Sequence, residues 1–180
     1  MNSDTERELI RAARAGDGAA YDELVRLNAE RVYRFCRQIT GDPDEAYDLA
    51  QQVFVKGFSS LRSFKFRSRF SSWLYRIAVN HWKNEVARHR IRSAPLDDDE
   101  PVADAAVSVE QVMQRADAAD VVRTVFVQLP EEYRAVLYLR YYEGKTLRET
   151  AAILGISVSA AGVRVFRGLR KFRQLLAGNV

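Results

Sequence analysis

The apolar residues of this sequence recur three or four positions apart, which is the spacing of one face of an α-helix. Between Asp17 and Gly41 this spacing predicts one long helix, with the aspartate as its N-cap and the glycine at its end. Ahead of it, a capping-box pattern from Ser3 to Glu6 opens a shorter helix that Gly16 closes. The sequence shows no strand-like alternation of any length. The apolar positions of the long helix are Leu24, Leu27, Val32, Phe35, Cys36 and Ile39.

A third helix is predicted to start at the run DPDE, residues 42–45. This run supplies a cap, a proline for the first turn and acids at the positive end of the helix dipole. The helix extends to about Ser60, and a loop from Leu61 to Arg69 leads to a fourth helix from Phe70 to about Arg90. Two stripes are expected on the fourth helix, one facing the core and one facing solvent or a ligand. The core stripe is Phe70, Trp73, Leu74, Ile77 and Ala78, and the polar stripe is Ser72, Arg76, Asn80, Lys83 and Arg90.

The segment from Ser93 to Val109 interrupts this helical pattern. It contains two prolines and the run DDDE at residues 97–100, and it lacks periodic apolar residues. A second helical module is predicted from about Val112, with a helix after Pro130 that Gly144 ends. The sequence therefore predicts an all-α fold: two small helical domains, residues 1–92 and 112–180, joined by a flexible acidic linker of residues 93–111.

The second domain ends in the sequence form of a helix-turn-helix. A short helix from Thr146 meets Gly155, which can adopt the left-handed turn conformation, and Ser157 then caps a second helix. The second helix of such a motif enters the major groove of DNA and presents its N-terminal residues to base edges. We expect Val163 and Phe166 to face the core. This leaves a basic set for DNA, namely Arg164, Arg167, Arg170, Lys171 and Arg173. The alternative is a helical hairpin with a solvated basic face.

Charge is distributed unevenly along the chain, which has a net charge of +4 and a pI near 9.3. Residues 61–92 contain nine basic residues and one acidic residue, and residues 144–173 contain seven basic residues and one acidic residue. Residues 93–120, between them, contain one basic and eight acidic residues. Two separated basic segments indicate two contacts with nucleic acid, one on each domain.

The composition argues against a disulfide scaffold, a metal centre and a membrane protein. Cys36 is the sole cysteine, so we expect a buried structural thiol rather than an internal disulfide. With only His81 and His89 beside it, the chain has no metal-ligand set of the usual spacing. No apolar run is long enough to span a bilayer, and the charged N-terminus does not suit a signal peptide. We therefore expect a cytoplasmic protein without a cofactor.

The loop before the fourth helix places aromatic residues among cations. Phe64 and Phe66 alternate with Lys65, Arg67 and Arg69. Stacking of a base on an aromatic ring contributes about 1–3 kcal/mol, while cations hold the nucleic-acid backbone. We therefore interpret this loop as a candidate site for single-stranded nucleic acid. The alternative is that either phenylalanine folds back onto the core as a hydrophobic clasp.

Two motifs resemble those of a known family. They are WLYRIAVN at residues 73–80 and LPEEYRAVLYLRYYEGKTLRETAAILGIS at residues 129–157. Both are similar to bacterial RNA polymerase sigma factors of the extracytoplasmic-function (ECF) group, and the resemblance runs from about Asp17 to Leu176. It implies a promoter-specificity subunit that binds core RNA polymerase and is not itself an enzyme. The run DLAQQVFVKGF, residues 48–58, resembles the helix that docks on the polymerase, which implies contacts by Asp48, Gln51, Gln52 and Phe54.

The resemblance also implies which residues contact promoter DNA. The loop from Leu61 to Arg69 matches a loop that captures a flipped-out base of the minus-ten element in the melted non-template strand, and the following helix reads the same element. The implied minus-ten contacts are Phe64, Lys65, Phe66, Arg67, Arg69, Trp73, Arg76, Asn80 and Lys83. The second domain matches the part that reads the minus-thirty-five element as duplex. Its implied contacts are Ser159, Arg164, Arg167, Arg170 and Lys171.

Further consequences of the resemblance concern partners and alternatives. Such proteins are commonly held inactive by an anti-sigma factor, so a partner of this kind is implied here. The acidic run at residues 97–100 is then either a mimic of phosphates inside the polymerase or a plain tether. Two other functions are a free-standing helix-turn-helix regulator that binds duplex DNA without polymerase, and a magnesium-dependent nuclease that uses this acidic run. The nuclease is the weaker hypothesis, because catalytic carboxylates need rigid support.

Overall fold

A computed structural model of the chain describes residues 3–90 and 124–178, and every regular element in these ranges is helical. The predicted all-α fold is confirmed. The predicted linker, residues 93–111, and the predicted start of the second domain near Val112 lie outside the described residues. A 3₁₀ turn, Leu61–Ser63, follows the helix that ends at Ser60, and a π-helical turn, Tyr138–Tyr142, continues the helix that ends at Leu137. The α-helices whose bounds are described are α1 (Ser3–Arg14), α2 (Gly18–Thr40), α3 (Pro43–Ser60), α4 (Phe70–Arg90), α5 (Glu131–Leu137), α6 (Leu147–Leu154) and α7 (Val158–Gly178), and residues 124–127 are also helical.

The turn chemistry predicted from the sequence sets the ends of α2 and α3. The Asp17 carboxylate accepts a hydrogen bond from the Ala20 N–H at 3.1 Å, and Gly41 ends α2 with a φ of 83°. Glycine adopts this left-handed conformation without the steric cost that a Cβ imposes. One Asp42 oxygen accepts the N–H groups of residues 44 and 45 at 2.8 and 3.0 Å, and Pro43 occupies the first turn of α3. Both helix starts therefore follow local rules.

The start of α1 differs from its prediction. Glu6 was expected to complete a capping box with Ser3, but Ser3 already lies within α1. The Glu6 carboxylate instead reaches across to α4, where its Oε1 accepts the Phe70 N–H at 3.2 Å. A carboxylate at this position satisfies one of the unpaired donors at the start of α4 and complements its dipole.

The first compact unit contains α1, α2, α3 and most of α4, up to residue 84. Phe35 of α2 and Tyr75 of α4 are both fully buried, and their ring centroids lie 4.6 Å apart. Gly57 allows α3 to approach its neighbours closely. A Cβ at this position would lie 2.9 Å from the Tyr21 hydroxyl oxygen and 3.2 Å from Leu74 Cδ2. The core of this unit is therefore formed where α2, α3 and α4 meet.

Helix α4 is buried on more sides than the two predicted stripes allow. Tyr75 and Val79 are buried although they lie outside the predicted core stripe, and Ser72 is buried although it was placed in the polar stripe. The prediction for Ser72 is therefore wrong. A helix in contact with elements on several sides buries most of its circumference, and a small hydroxyl fits there. Arg76 and Asn80 are exposed, as predicted.

Cys36 lies in the core of α2, as expected for a structural thiol. Burial raises the pKa of the Cys36 thiol to about 12. With this pKa, only about one thiol in ten thousand would be ionised at pH 8. The thiolate is the form that reacts with alkylating reagents. We expect the native protein to resist alkylation by iodoacetamide at pH 8 and the urea-unfolded protein to react at the rate of a free thiol, as measured by mass spectrometry. Rapid alkylation of the native protein would contradict this assignment.

The second compact unit contains most of residues 124–178, and in it α5 packs against α7. Gly168 lies at the point of closest approach. A Cβ there would lie 3.1 Å from Tyr133 Cβ and 3.3 Å from Leu137 Cδ1. Together with Gly168, Ala161 and Phe172 form the buried positions of α7.

The predicted burial of Val163 and Phe166 is wrong. Their side chains are 47% and 50% exposed. The contact stripe of α7 runs through a glycine, which carries no side chain and is therefore invisible to a search for apolar periodicity. Val163 and Phe166 happen to lie three residues apart, which imitates a core stripe on the opposite side of the helix.

The helix-turn-helix prediction is confirmed by the geometry of α6 and α7. The two helices are bent by 101° relative to each other, within the range typical of this motif. Gly155 makes the turn with a φ of 64°, and the Ser157 hydroxyl accepts the Ala160 N–H at 3.0 Å. A capping box that the sequence analysis missed starts α6. There the Thr146 N–H donates to Glu149 Oε2 at 2.8 Å, and the Glu149 N–H donates to the Thr146 hydroxyl at 3.2 Å.

Residues 3–90 and 124–178 contain neither a single membrane-spanning helix nor a cluster of metal ligands. No single helix there is long and apolar enough to cross a bilayer. The pair α6 and α7 would meet the length and composition criteria only if taken together, across their sharp bend. The same ranges contain no group of three or more His, Cys, Asp or Glu side chains that could hold a metal ion.

Candidate docking face and nucleic-acid interfaces

The outer face of α3 carries the residues that the family resemblance implies for polymerase docking. Asp48, Gln51 and Gln52 are all exposed, and Phe54 is half-buried. The opposite face is held in the core by Leu49 and by other buried residues of α3. Three of the four implied residues are therefore available to a partner, and the fourth lies at the edge of the core.

Large apolar side chains that the sequence analysis did not name lie on the same outer face of α3. Tyr47, Val55 and Phe58 are 60%, 65% and 58% exposed. They share this face with Gln51, since positions four, eight and eleven apart fall on one side of a helix. Exposed apolar side chains grouped with polar ones are typical of a protein-binding surface. The sequence of α3 contains more large apolar residues than a single core-facing stripe requires. This excess was the sequence signal for the exposed apolar side chains. We call Tyr47, Asp48, Gln51, Val55 and Phe58 the docking face.

The loop between α3 and α4 does not expose both of its phenylalanines. Phe64 is only 3% exposed, so the expectation that it stands free to stack on a base is not met, and the hydrophobic-clasp alternative describes it. Its ring centroid lies 5.1 Å from that of Phe66, 5.7 Å from Phe70 and 5.3 Å from Trp73. The physical reason is that burial of the Phe64 ring against these aromatic partners is more favourable in free energy than its exposure to water.

Phe66 and the loop cations remain accessible. Phe66 is half-buried and has a φ of 54°, a conformation that bulky residues adopt only when their surroundings hold it. Lys65, Arg67 and Arg69 are exposed. A shallow cavity of about 200 Å³ opens beside them, and it is lined by Glu6, Arg7, Phe64, Phe66, Arg67, Ser68 and Arg69. The loop therefore offers one partly exposed ring and three cations.

A second cavity, of about 300 Å³, runs along α4 and brings together several implied minus-ten residues. Trp73, Arg76 and Asn80 line it, so an aromatic ring, a guanidinium and a carboxamide face one space. Its other lining residues are Lys56, Ser60, Ser63, Ile77, His81 and Asn84. Lys83 is exposed but does not line this cavity. Because an aromatic ring and hydrogen-bonding side chains line the same cavity, it can stack a base and hydrogen-bond the edge of that base.

On α7 the implied minus-thirty-five residues divide between exposed and half-buried positions. Ser159, Arg167 and Lys171 are exposed, whereas Arg170 is half-buried. Arg164 is also half-buried, and its Nη2 lies 3.4 Å from Glu132 Oε2 of α5. Arg164 therefore forms an ion pair with α5, and it lies about one turn from the exposed Arg167 on α7.

The open face of α7 near its N-terminus has an apolar centre. Val163 and Phe166 lie on this face with Ser159 and Arg167, because positions 159, 163, 166 and 167 are neighbours on successive turns. Apolar side chains in a major groove can contact the methyl group of thymine. The sequence analysis did not identify this exposed apolar pair because it assigns both residues to the core.

Comparison with known proteins identifies both halves of the chain. Residues 24–92 match the Sigma-70 region 2 family, and residues 120–172 match Sigma-70, region 4. The RNA polymerase sigma-H factor of Pseudomonas aeruginosa is 32% identical, over 93% of this chain and 91% of the relative. The ECF RNA polymerase sigma factor SigM of Mycobacterium tuberculosis is 30% identical, over 96% of this chain and 85% of the relative.

A solved structure of the sigma factor RpoE with the anti-sigma factor NepR, from Bartonella quintana, has the same fold. Its TM-score is 0.66 at 20% sequence identity, and the match covers 87% of this chain and 96% of that chain. At this identity the likeness concerns the fold alone.

Proposed function

The chain belongs to the ECF group of RNA polymerase sigma factors, and from this premise we propose how its described surfaces divide the work of promoter recognition. A sigma factor binds core RNA polymerase and directs initiation at particular promoters. We assign the docking face of α3 to the polymerase, the loop of residues 61–69 with the cavity along α4 to the minus-ten element, and the open face of α7 to the minus-thirty-five element. This work would take place in the cytoplasm, without catalysis by the chain itself.

The observation that carries this proposal is the arrangement within the first unit. An exposed face with large apolar side chains on α3 and a cavity lined by Trp73, Arg76 and Asn80 on α4 occur in the same small helical unit. A free-standing regulator that binds duplex DNA would use α6 and α7 but has no use for a cavity that admits an unstacked base. The nuclease hypothesis rests on residues 97–100, which lie outside the described residues.

The minus-ten step requires separation of the DNA strands. Opening a duplex costs on average about 1.4 kcal/mol per base-pair step, and stacking on an aromatic ring returns about 1–3 kcal/mol for each captured base. Trp73 and the partly exposed Phe66 are the rings available for this, with Arg76 and the loop cations beside them. Capture of a few bases can therefore offset local opening at the upstream edge of the bubble.

In vitro transcription tests the proposed function directly. The chain is mixed with bacterial core RNA polymerase and a library of randomised promoter fragments, and transcripts are sequenced. We expect initiation only when both proteins are present, at templates that share two elements. Transcription that does not depend on the chain would overturn the proposal. Tight binding of the chain to duplex fragments without polymerase would favour the free-standing regulator.

The proposed contact of Val163 and Phe166 with thymine methyl groups gives a specific prediction for the minus-thirty-five element. Replacing a contacted thymine by uracil removes only the 5-methyl group, and burial of one such group contributes about 0.8 kcal/mol. We expect about a fourfold loss of holoenzyme affinity at one or two positions of the element. In Phe166→Ala the loss caused by uracil should disappear at the position that Phe166 contacts, as measured by competition binding.

A control variant on the same helix separates this contact from general weakening. Gln174 is exposed on α7 but lies two turns beyond Phe166. Gln174→Ala should keep the preference for thymine over uracil. Equal affinity of the unmodified holoenzyme for both bases at every position would show that the open face reads no methyl group.

An anti-sigma factor is part of the proposal. The solved RpoE of Bartonella quintana has NepR bound as its anti-sigma factor. In this chain the docking face exposes three large apolar side chains, Tyr47, Val55 and Phe58, which a regulatory partner can cover. Such a partner would compete with core polymerase for the same surface.

A further inference from the structure

Helix α1 contacts the loop of residues 61–69 at several points, although neither the motifs nor the charge pattern gave this helix a role. Arg14, in the last turn of α1, is half-buried and lies against the start of the loop. Its guanidinium donates to three backbone carbonyls. Nε donates to Leu61 O at 3.1 Å, and Nη2 donates to Arg62 O at 2.7 Å and to Phe64 O at 2.5 Å.

The same guanidinium lies over an aromatic ring of the loop. The Arg14 Cζ is 5.1 Å from the centroid of the Phe66 ring, which is within the range of a cation–π contact. Phe66 is the residue with a φ of 54°, and its ring centroid lies 5.1 Å from that of Phe64. A strained conformation persists only when surrounding contacts hold it. Arg14 of α1 supplies one such contact, and Phe64, within the loop, supplies another.

The other end of the loop is also fixed by α1. The Glu6 carboxylate accepts the Phe70 N–H at 3.2 Å, so it fixes the point where the loop enters α4. Glu6 and Arg14 lie eight residues apart, or just over two turns of α1, and they contact opposite ends of a single loop. The loop has no regular structure of its own beyond Leu61–Ser63.

We infer that α1 holds the loop of residues 61–69 in the shape that receives the melted strand, with Arg14 and Glu6 as positioning residues that act through the loop. This inference rests on the proposed capture of the minus-ten strand. A loop fixed before binding does not lose its freedom at the moment of capture, so pre-organisation increases affinity without adding a contact. Because the Arg14 guanidinium binds the loop carbonyls from the side of α1, the exposed Lys65, Arg67 and Arg69 remain available for phosphates.

Lysine is an informative replacement at position 14. Arg14→Lys keeps the positive charge, but an ammonium on a flexible stem cannot serve three carbonyls with the geometry of a planar guanidinium. Arg14→Met keeps a long apolar stem and removes both charge and donors. Arg11 is the matched control, since it is an exposed arginine one turn earlier on α1. Arg11→Lys and Arg11→Met repeat the same chemical changes on the same helix.

The experiment measures two quantities for each variant assembled with core polymerase, at temperatures where melting curves show it folded. The first is the affinity for a single-stranded oligonucleotide that carries the minus-ten element, and the second is amide hydrogen exchange in residues 64–70. For both Arg14 variants we expect strand binding to weaken about tenfold and exchange in the loop to accelerate about tenfold, since several hydrogen bonds are lost together. Both Arg11 variants should match the unmodified protein.

The outcomes distinguish this inference from the proposed function. Strand affinity and loop exchange unchanged in Arg14→Met would overturn the inference, as would full retention of both by Arg14→Lys beside a loss in Arg14→Met, because charge alone would then suffice. An unmodified holoenzyme that fails to bind the oligonucleotide would overturn strand capture itself, and with it the part of the inference that concerns DNA. In that case the exchange data still decide whether α1 holds the loop.

Discussion

Replacement of Asp48 by arginine is expected to abolish co-elution of the chain with core RNA polymerase at moderate salt. Asp48 is exposed on α3 and borders the apolar side chains of the docking face, among them Tyr47 and Val55. An acid beside an apolar centre orients a partner by charge, and a like charge placed opposite a basic partner costs several kcal/mol. We therefore expect affinity to fall about 100-fold or more, as measured by gel filtration and fluorescence anisotropy.

Asp22→Arg provides the control for this charge reversal. Asp22 is exposed on α2 and is not a residue of the docking face, so the variant changes the net charge by the same amount and leaves the docking-face side chains in place. It should co-elute with polymerase as the unmodified chain does. Comparable loss in both variants would mean that net charge rather than the docking face determines binding. Normal co-elution of Asp48→Arg would remove the assignment of α3 to the polymerase.

Much of the fold could be predicted because local chemistry sets the helix ends. Asp17, Asp42 and Ser157 cap helices through their own side chains, and Gly41 and Gly155 adopt the left-handed turns expected of them. Each of these interactions lies within a few residues of sequence, so a pattern search captures it. The Thr146 capping box was missed although it follows the same rule.

The errors arise where burial depends on distant partners. Val163 and Phe166 were assigned to the core because the true contact stripe of α7 passes through Gly168, whose role is to allow close packing. Ser72 was assigned to solvent because its burial depends on how many elements surround α4. Periodicity identifies one apolar stripe but not the number of neighbours that a helix will have. No single-sequence signal carried that information.

The candidate site shows the same limit. Cations and aromatic residues could be placed in one loop, but the sequence could not decide which ring would be buried, and Phe64 proved to be a core residue. The contacts of Arg14 with the loop cross about fifty positions of sequence and leave no local pattern. Function here depends on geometry that only the folded unit creates.

Removal of the Phe64 ring is expected mainly to lower the stability of the folded first unit. Phe64 is buried among Phe66, Phe70 and Trp73, and truncation of a buried phenylalanine to alanine costs about 3–5 kcal/mol. For a unit of this size we expect the melting temperature in Phe64→Ala to fall by about 15 °C or more, as measured by calorimetry. Phe64→Leu preserves most of the volume and should lose far less. A melting temperature unchanged in Phe64→Ala would show that the ring is not part of the core.

Asn80→Ala separates strand capture from this loss of stability. Asn80 is exposed and lines the cavity along α4, so its truncation should leave the melting temperature within about 2 °C of the unmodified chain. Open-complex formation, measured by permanganate reactivity of unpaired thymines, should nevertheless fall about tenfold, because one hydrogen-bonded base edge loses its partner. Phe64→Ala should regain most of its strand binding when cooled until it is folded, although Phe66 has lost one packing partner, whereas Asn80→Ala should stay deficient at every temperature. The opposite pattern would make Phe64 the base contact and Asn80 a bystander.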